Sequence, residues 1–255
     1  MSVNVKTALI TGATAGIGEA CANIYAEHGF NLIITGRRAN RLQKLKEKLE
    51  SQFQVQVITL NFDVSDKNAV ETQLNSLSSD FRKVDVLINN AGLSQGLDDF
   101  QDALLSDWET MIDTNIKGLL YVSKIVSNWM IDNKKGHIVN LGSIAGKEVY
   151  AKGNVYCATK HAVDALSKSM RIDLLKHKIR VTAIHPGAVE TEFSEVRFHG
   201  DKKKAEKVYE GYRPLLASDI AETIYFATSR PAHVNINDLV IMPTVQASAF
   251  YWDKG

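Results

Sequence analysis

The chain has 255 residues and a mass of 28.2 kDa, enough for one sizeable hydrophobic core in a single domain. Its 45% hydrophobic and 23% charged residues place it with ordinary soluble globules and exclude the low-hydrophobicity, high-charge regime of disordered chains. With 30 basic and 29 acidic side chains the formal net charge is +1, so no global field recommends nucleic acid or an anionic membrane surface as a partner.

Two cysteines, Cys21 and Cys157, fall in segments that read as helices, lack metal-ligand spacing and cannot build a disulfide scaffold. The first residues pass almost at once into a strand pattern, with no basic leader, apolar block or small-residue cleavage site. No run approaches the roughly 18 apolar residues of a membrane-spanning helix. The expected location is the cytoplasm.

Short β-branched runs at 6–10, 31–35, 54–61, 84–89, 137–141, 180–184 and 238–242 alternate with helical periodicity at 17–28, 40–50, 67–80, 108–130, 154–176, 202–210 and 220–228. The connections are long enough to cross over the sheet. The fold class predicted is therefore α/β: one doubly wound Rossmann domain over 1–255, with a seven-stranded parallel sheet and helices on both faces. A polar stretch at 197–207, with Gly200 beside Asp201 and three consecutive lysines, follows the sixth strand. Its place and composition predict a substrate lid at about 190–213, over the carboxyl ends of the strands.

The first strand runs into Thr11-Gly12-Ala13-Thr14-Ala15-Gly16-Ile17-Gly18 and straight on into a helix. Glycines there permit a tight turn and bring backbone N–H groups and the helix N-terminus toward a pyrophosphate. The spacing departs from the simple G-x-G-x-x-G fingerprint, with Gly12 and Gly16 separated by three residues. At the end of the second strand stands Thr35-Gly36-Arg37-Arg38. The acidic residue that would bind the ribose hydroxyls of NAD is missing, and two guanidinium groups suit the extra phosphate of NADP. Asp63-Val64 after the third strand and Asn89-Asn90-Ala91-Gly92 after the fourth are expected to line adenosine: Asp63 as acceptor for the adenine amino group, Ala91 and Gly92 as small residues permitting close passage.

Tyr156 and Lys160 lie four residues apart, on one side of a predicted helix. A nearby ammonium lowers the phenol pKa and eases proton exchange with an alcohol. Ser143, at the end of the fifth strand, is placed to hold the reacting oxygen from the other side. Asn115 sits in an otherwise apolar helix, where its amide can order a water or carry a backbone hydrogen bond. After the sixth strand, Pro186 and Gly187 can turn the chain over a ligand, and Val189 and Thr191 can orient a carboxamide. His185 reads as structural, and the seven histidines form no metal-binding cluster in the sequence.

Together Thr11-Gly12…Gly16-Ile17-Gly18, Asn89-Asn90-Ala91-Gly92, the set Asn115, Ser143, Tyr156 and Lys160, and Pro186-Gly187 resemble the classical short-chain dehydrogenase/reductase family over nearly the whole chain. Within it, Trp108-Glu109-Thr110-Met111-Ile112-Asp113-Thr114-Asn115, Gly153-Asn154-Val155-Tyr156, Thr191-Glu192-Phe193-Ser194-Glu195-Val196-Arg197-Phe198 and Pro231-Ala232-His233-Val234-Asn235-Ile236-Asn237 are similar to 3-hydroxy acid dehydrogenases, also described as serine dehydrogenases or malonic semialdehyde reductases.

The resemblance implies Tyr156 as acid/base, Ser143 as substrate-positioning hydroxyl, Lys160 as nicotinamide-ribose ligand, and Asn115 in a water-linked proton relay. It implies L-serine, L-allo-threonine, 3-hydroxyisobutyrate or malonic semialdehyde as substrate, and a homotetramer joined partly through the long helices. Arg197, in the expected lid, is the candidate for the substrate carboxylate. An NADPH-dependent reductase of neutral ketones or sugar derivatives, and a non-enzymatic nucleotide-sensing module, are the competing readings.

Overall fold

The computed structural model describes residues 5–253; residues 1–4, where no leader is expected, and 254–255, the far end of the expected domain, lie outside the described residues. The first half runs β1 (Thr7–Ile10), α1 (Gly16–Glu27), β2 (Asn31–Gly36), α2 (Ala39–Phe53), β3 (Val57–Asn61), α3 (Lys67–Asn75), β4 (Val86–Asn89), α4 (Leu105–Ile112) and α5 (Leu119–Asp132). There follow β5 (His137–Leu141), α6 (Asn154–Asp173), β6 (Arg180–Pro186), β7 (Val189–Glu190), α7 (Phe193–Arg197), α8 (Lys202–Lys207), β8 (Leu215–Leu216), α9 (Ala217–Thr228) and β9 (Asp238–Ile241).

Seven strands form one parallel sheet in the order β3-β2-β1-β4-β5-β6-β9. Side chains alternate across it with period two. Ile10, Ile34, Ile88, Val139 and Ile184 pack with Tyr25 of α1, Leu42 of α2 and Ile224 of α9, while Leu9, Ile33, Leu87, Ile138 and Val181 pack with Val70 of α3 and Val122 of α5. Both faces are thus covered, which is why the strands are continuously apolar instead of alternating. The order reverses between β1 and β4, and the carboxyl ends of these neighbours open the crevice in which such sheets bind ligands.

Several boundaries differ from expectation, for local reasons. β3 begins at Val57 because Gln54 closes α2 in a left-handed conformation, φ 52°. α3 stops at Asn75: Ser76 Oγ bonds back to the Gln73 carbonyl, and Arg82 donates to the carbonyls of Asn75 and Leu77, so side chains replace the next helical turn. The helix expected at 108–130 spans α4 and α5, joined by a π-helical turn at Asp113–Gly118. β7 and β8 form an additional two-residue parallel ladder. Among the described residues no helix is long and apolar enough to cross a membrane.

Candidate active site

At the switch point lies a cleft of about 330 Å³, and it gathers residues from the carboxyl ends of β1 to β6. Gly12, Thr14, Ala15, Gly16, Ile17, Arg37, Arg38, Asp63, Val64, Asn90, Ala91, Gly92, Pro186, Gly187, Val189 and Thr191 all line it, together with Ser143, Tyr156 and Lys160. Gly18, Asn115 and Arg197 stand just behind this lining.

Gly12 and Gly16 have φ of +67° and +55°, a region L side chains rarely adopt. Gly18 supports the turn from beneath: a Cβ there would come within 2.4 Å of the Gly12 carbonyl oxygen and of Asn90 Nδ2. Asn90 staples the ends of β4 and β1, its Nδ2 donating to the carbonyls of Thr11 (2.9 Å) and Gly12 (3.1 Å). Ala15 caps α1 in extended conformation with no side chain on the helix's first N–H groups. A strained glycine turn and uncapped amide donors facing a cleft form a cradle for a pyrophosphate.

Beyond the cradle, Arg38 Nε and Nη2 grip Thr14 Oγ1 at 3.1 and 2.8 Å. Arg38 Nη1 and Arg41 Nη1 donate to the two carboxylate oxygens of Glu192 at 2.7 and 2.6 Å. Arg37 pairs with Asp63 at 3.3 Å, and Asp63 Oδ1 also accepts from Ser65 N and Oγ. Partial burial opposes ionisation of Asp63, but Ser65 and Arg37 hold its carboxyl below the usual range. Three guanidinium groups and no acidic residue at the end of β2 fit a nucleotide carrying a 2′-phosphate.

At the other end Tyr156, in the first turns of α6, is 7% exposed. The Ser143 side chain lines the cleft with it and lowers its phenol pKa. Ser143 itself starts a 3-10 turn, its Oγ accepting from Ala145 N at 3.1 Å. Lys160 donates from Nζ to the Leu141 carbonyl at 2.8 Å and stands 5.9 Å from the Tyr156 ring centroid. Burial pushes this ammonium down to about 8. Burial also raises the Tyr156 phenol above its ordinary range, with Tyr150 adding to the rise, while Arg197 and Ser143 pull it down. The Lys160 ammonium is directed at the Leu141 carbonyl, and the groups that oppose the rise of the phenol are Arg197 and Ser143.

Asn115 lies in the π-helical turn, a feature that often marks functional helices. Its Oδ1 accepts from Leu93 N, and its Nδ2 donates to the Leu93 carbonyl and to Thr159 Oγ1, at 2.8, 2.8 and 3.1 Å. The amide therefore brackets the loop after β4 against α6, and within the protein it is fully committed.

Arg197 reaches back from α7 toward Tyr156. Its guanidinium lies 5.3 Å from the Tyr156 ring centroid and 5.1 Å from that of Phe193, with single hydrogen bonds of 3.2 Å to Ser94 Oγ and Tyr150 Oη. Among the described residues it makes no ion pair. His185 is buried, its ring nitrogens 3.2 Å from the Ser143 carbonyl and 3.1 Å from Asp238 Oδ1. Its side chain gathers with Asp164 and Asp238 around Lys147, whose Nζ lies 2.8 and 3.2 Å from the two carboxylates and supplies their counter-charge.

Reading the sequence alone missed Glu192, Tyr150, Ser94 and Phe193. Glu192 and Phe193 lie in the segment 191–198 that carries the resemblance but showed no individual role; Tyr150 and Ser94 are loop residues without periodicity.

The chain belongs to the short chain dehydrogenase family, which matches residues 6–202. It is 48% identical over 242 residues to the NADP-dependent 3-hydroxy acid dehydrogenase YdfG of Salmonella typhi, covering 94% of this chain and 96% of that protein. It is 46% identical over 248 residues to sulfoacetaldehyde reductase 2 of Chromohalobacter salexigens, covering 96% and 98%. Among solved structures, the closed form of serine dehydrogenase complexed with NADP+ superposes with a TM-score of 0.90 at 45% identity, covering 95% of this chain and 97% of that one.

Proposed function

We propose that this protein is an NADP-dependent oxidoreductase interconverting a small 3-hydroxy acid and its carbonyl form, with L-serine, L-allo-threonine, 3-hydroxyisobutyrate and malonic semialdehyde as candidate substrates. The observation that carries the acidic-substrate reading is Arg197: a guanidinium that makes no ion pair among the described residues, held against the Tyr156 and Phe193 rings just behind the cleft lining. An alcohol bearing a carboxylate two carbons away would place its hydroxyl on Tyr156 and its anion on Arg197.

The glycine turn Gly12–Gly18 and the N-terminus of α1 would hold the pyrophosphate, Arg37 and Arg38 the 2′-phosphate, and Asp63, Val64, Asn90, Ala91 and Gly92 adenosine. Lys160 would hold the nicotinamide ribose; Pro186, Gly187, Val189 and Thr191 would line the carboxamide. The nicotinamide supplies a hydride acceptor or donor for the carbinol carbon. Tyr156 removes the hydroxyl proton during oxidation and returns it during reduction, while the Ser143 hydroxyl donates to the same oxygen as its charge develops. Asn115 acts as a positioning residue for the proton relay, holding the loop after β4 beside Lys160.

Residues 190–213, carrying α7 and α8, form the lid. Tyr209 ties it to β7, its Oη donating to the Val189 carbonyl at 2.9 Å, and the Arg197 carbonyl accepts from Gly96 N at 3.0 Å. A homotetramer is the expected assembly, supported by exposed Ile112, Leu120 and Ile172 on the long helices and Val240 on the edge strand. The cytoplasm is the proposed location.

Absorbance at the reduced-nicotinamide band, with NADP and NAD offered separately, tests the assignment. The panel pairs the four candidates with sulfoacetaldehyde and with neutral alcohols and ketones. Turnover confined to the anionic substrates and NADP supports the proposal; turnover of neutral compounds alone would replace the substrate class and leave the cofactor reading standing.

A further inference from the structure

We propose that Glu192 is an internal competitor for the 2′-phosphate site, a lid carboxylate that occupies the arginines a phosphorylated cofactor must engage. The proposal rests on the NADP reading above. Glu192 directly follows Thr191, whose side chain crosses the glycine cradle so closely that a Cβ on Gly16 would meet its Cγ2 at 3.1 Å. From there the Glu192 carboxylate reaches α2 and takes one guanidinium N–H on each oxygen: Arg38 at 2.7 Å and Arg41 at 2.6 Å.

A phosphate monoester offers the same guanidinium groups more charge and more acceptor oxygens than a carboxylate does. A phosphate drawn to Arg38 must therefore displace the Glu192 carboxylate or sit beside its like charge. Arg38 is already anchored on Thr14 Oγ1 through Nε and Nη2, so Nη1, which Glu192 engages, is the terminal nitrogen with no other partner to hold it from an incoming anion. The carboxylate cannot release the arginines by protonation near neutral pH: although partial burial opposes its charge, Arg38 and Arg41 hold it below the ordinary glutamate range.

Because Glu192 opens the lid segment, the exchange is also mechanical. Binding of the 2′-phosphate frees the first residue of the lid from α2, whereas an unphosphorylated nucleotide leaves it fastened. Glu192 thereby weakens the binding of phosphorylated nucleotides and ties lid position to the presence of the 2′-phosphate.

The experiment is calorimetric titration of the wild-type protein, Glu192→Gln and Glu192→Ala with adenosine 2′,5′-bisphosphate, adenosine 5′-monophosphate, NADP+ and NAD+, folding being checked by thermal melts. Both variants are expected to bind the bisphosphate and NADP+ about three- to ten-fold more tightly, the range for removing two partly exposed ion pairs, with the monophosphate and NAD+ unchanged within about two-fold. Unchanged bisphosphate affinity would overturn the proposal, and weakened affinity would overturn it in favour of a brace that orients the arginines. If the wild-type protein itself shows no preference for 2′-phosphorylated ligands, the NADP reading fails and the proposal falls with it; a wild-type preference that the variants do not increase condemns the Glu192 role alone.

Discussion

Lys160 reaches past Tyr156. The two side chains lie one helical turn apart on α6, yet the Lys160 ammonium donates to the Leu141 carbonyl at 2.8 Å and stands 5.9 Å from the tyrosine ring centroid. Burial dominates both groups, raising the phenol and pushing the ammonium down to about 8. The pair is therefore two groups that burial drives toward their neutral forms.

Replacing Tyr156 by Phe removes the exchangeable proton and leaves the ring packing intact. Turnover is expected to fall about 10²- to 10⁴-fold, with nucleotide affinity unchanged. Steady-state rates and a nucleotide titration on the same preparation check both halves.

Oxidation and reduction should respond differently to pH. Oxidation needs a deprotonated Tyr156 and reduction a protonated one; with the phenol raised, oxidation is expected to climb through the alkaline range while reduction stays nearly flat. Initial rates in both directions from about pH 6 to about pH 10 test this; parallel profiles would show another group in control.

The Lys160 ammonium offers a stability test. Its folded pKa lies below its unfolded value, so between about 8 and the ordinary lysine value of 10.5 the unfolded chain holds a proton that the folded chain has released. Stability then rises with pH across that window, and the cost of the buried charge is fully present below it. Relative to Lys160→Met, the wild-type protein should gain roughly 3 kcal/mol between pH 7 and pH 10.5, an order-of-magnitude figure read from denaturant unfolding of both proteins.

Arg197→Ala should raise KM for hydroxy acids about 10- to 100-fold and leave neutral alcohols near their wild-type values, since only the former lose a charge-assisted contact. Arg197→Lys should recover part of the loss. Equal KM for every acidic substrate would remove Arg197 from substrate binding.

At the opposite end of the cleft, Arg38→Gln should weaken NADP+ about 10- to 100-fold and NAD+ little, because only the phosphate monoester needs its guanidinium. Competitive titration of the two nucleotides gives the ratio directly.

Much of this architecture could be read from the chain because the signals are local. Strands buried on both faces require continuous apolar runs, helices between them require a 3.6-residue period, and a glycine turn must stand where strand passes to helix; each writes itself into neighbouring residues. The spacing of Tyr156 and Lys160 and the arginines after β2 were legible for the same reason. The π-helical turn around Asn115 and the two-residue ladder of β7 and β8 were not, since neither spans enough residues to show a period.

The sequence by itself thus determined the seven parallel strands and the glycine turn between first strand and first helix, and it supplied the candidates for proton exchange. Only the tertiary structure decided what those groups face: Lys160 a carbonyl 19 residues away in sequence, Arg38 a carboxylate 154 residues away, Arg197 the rings of Tyr156 and Phe193 instead of water. Such partners meet because crossover connections bring distant strand ends to one edge of the sheet, and the energy of each pairing depends on burial and distance that exist only after the chain has folded.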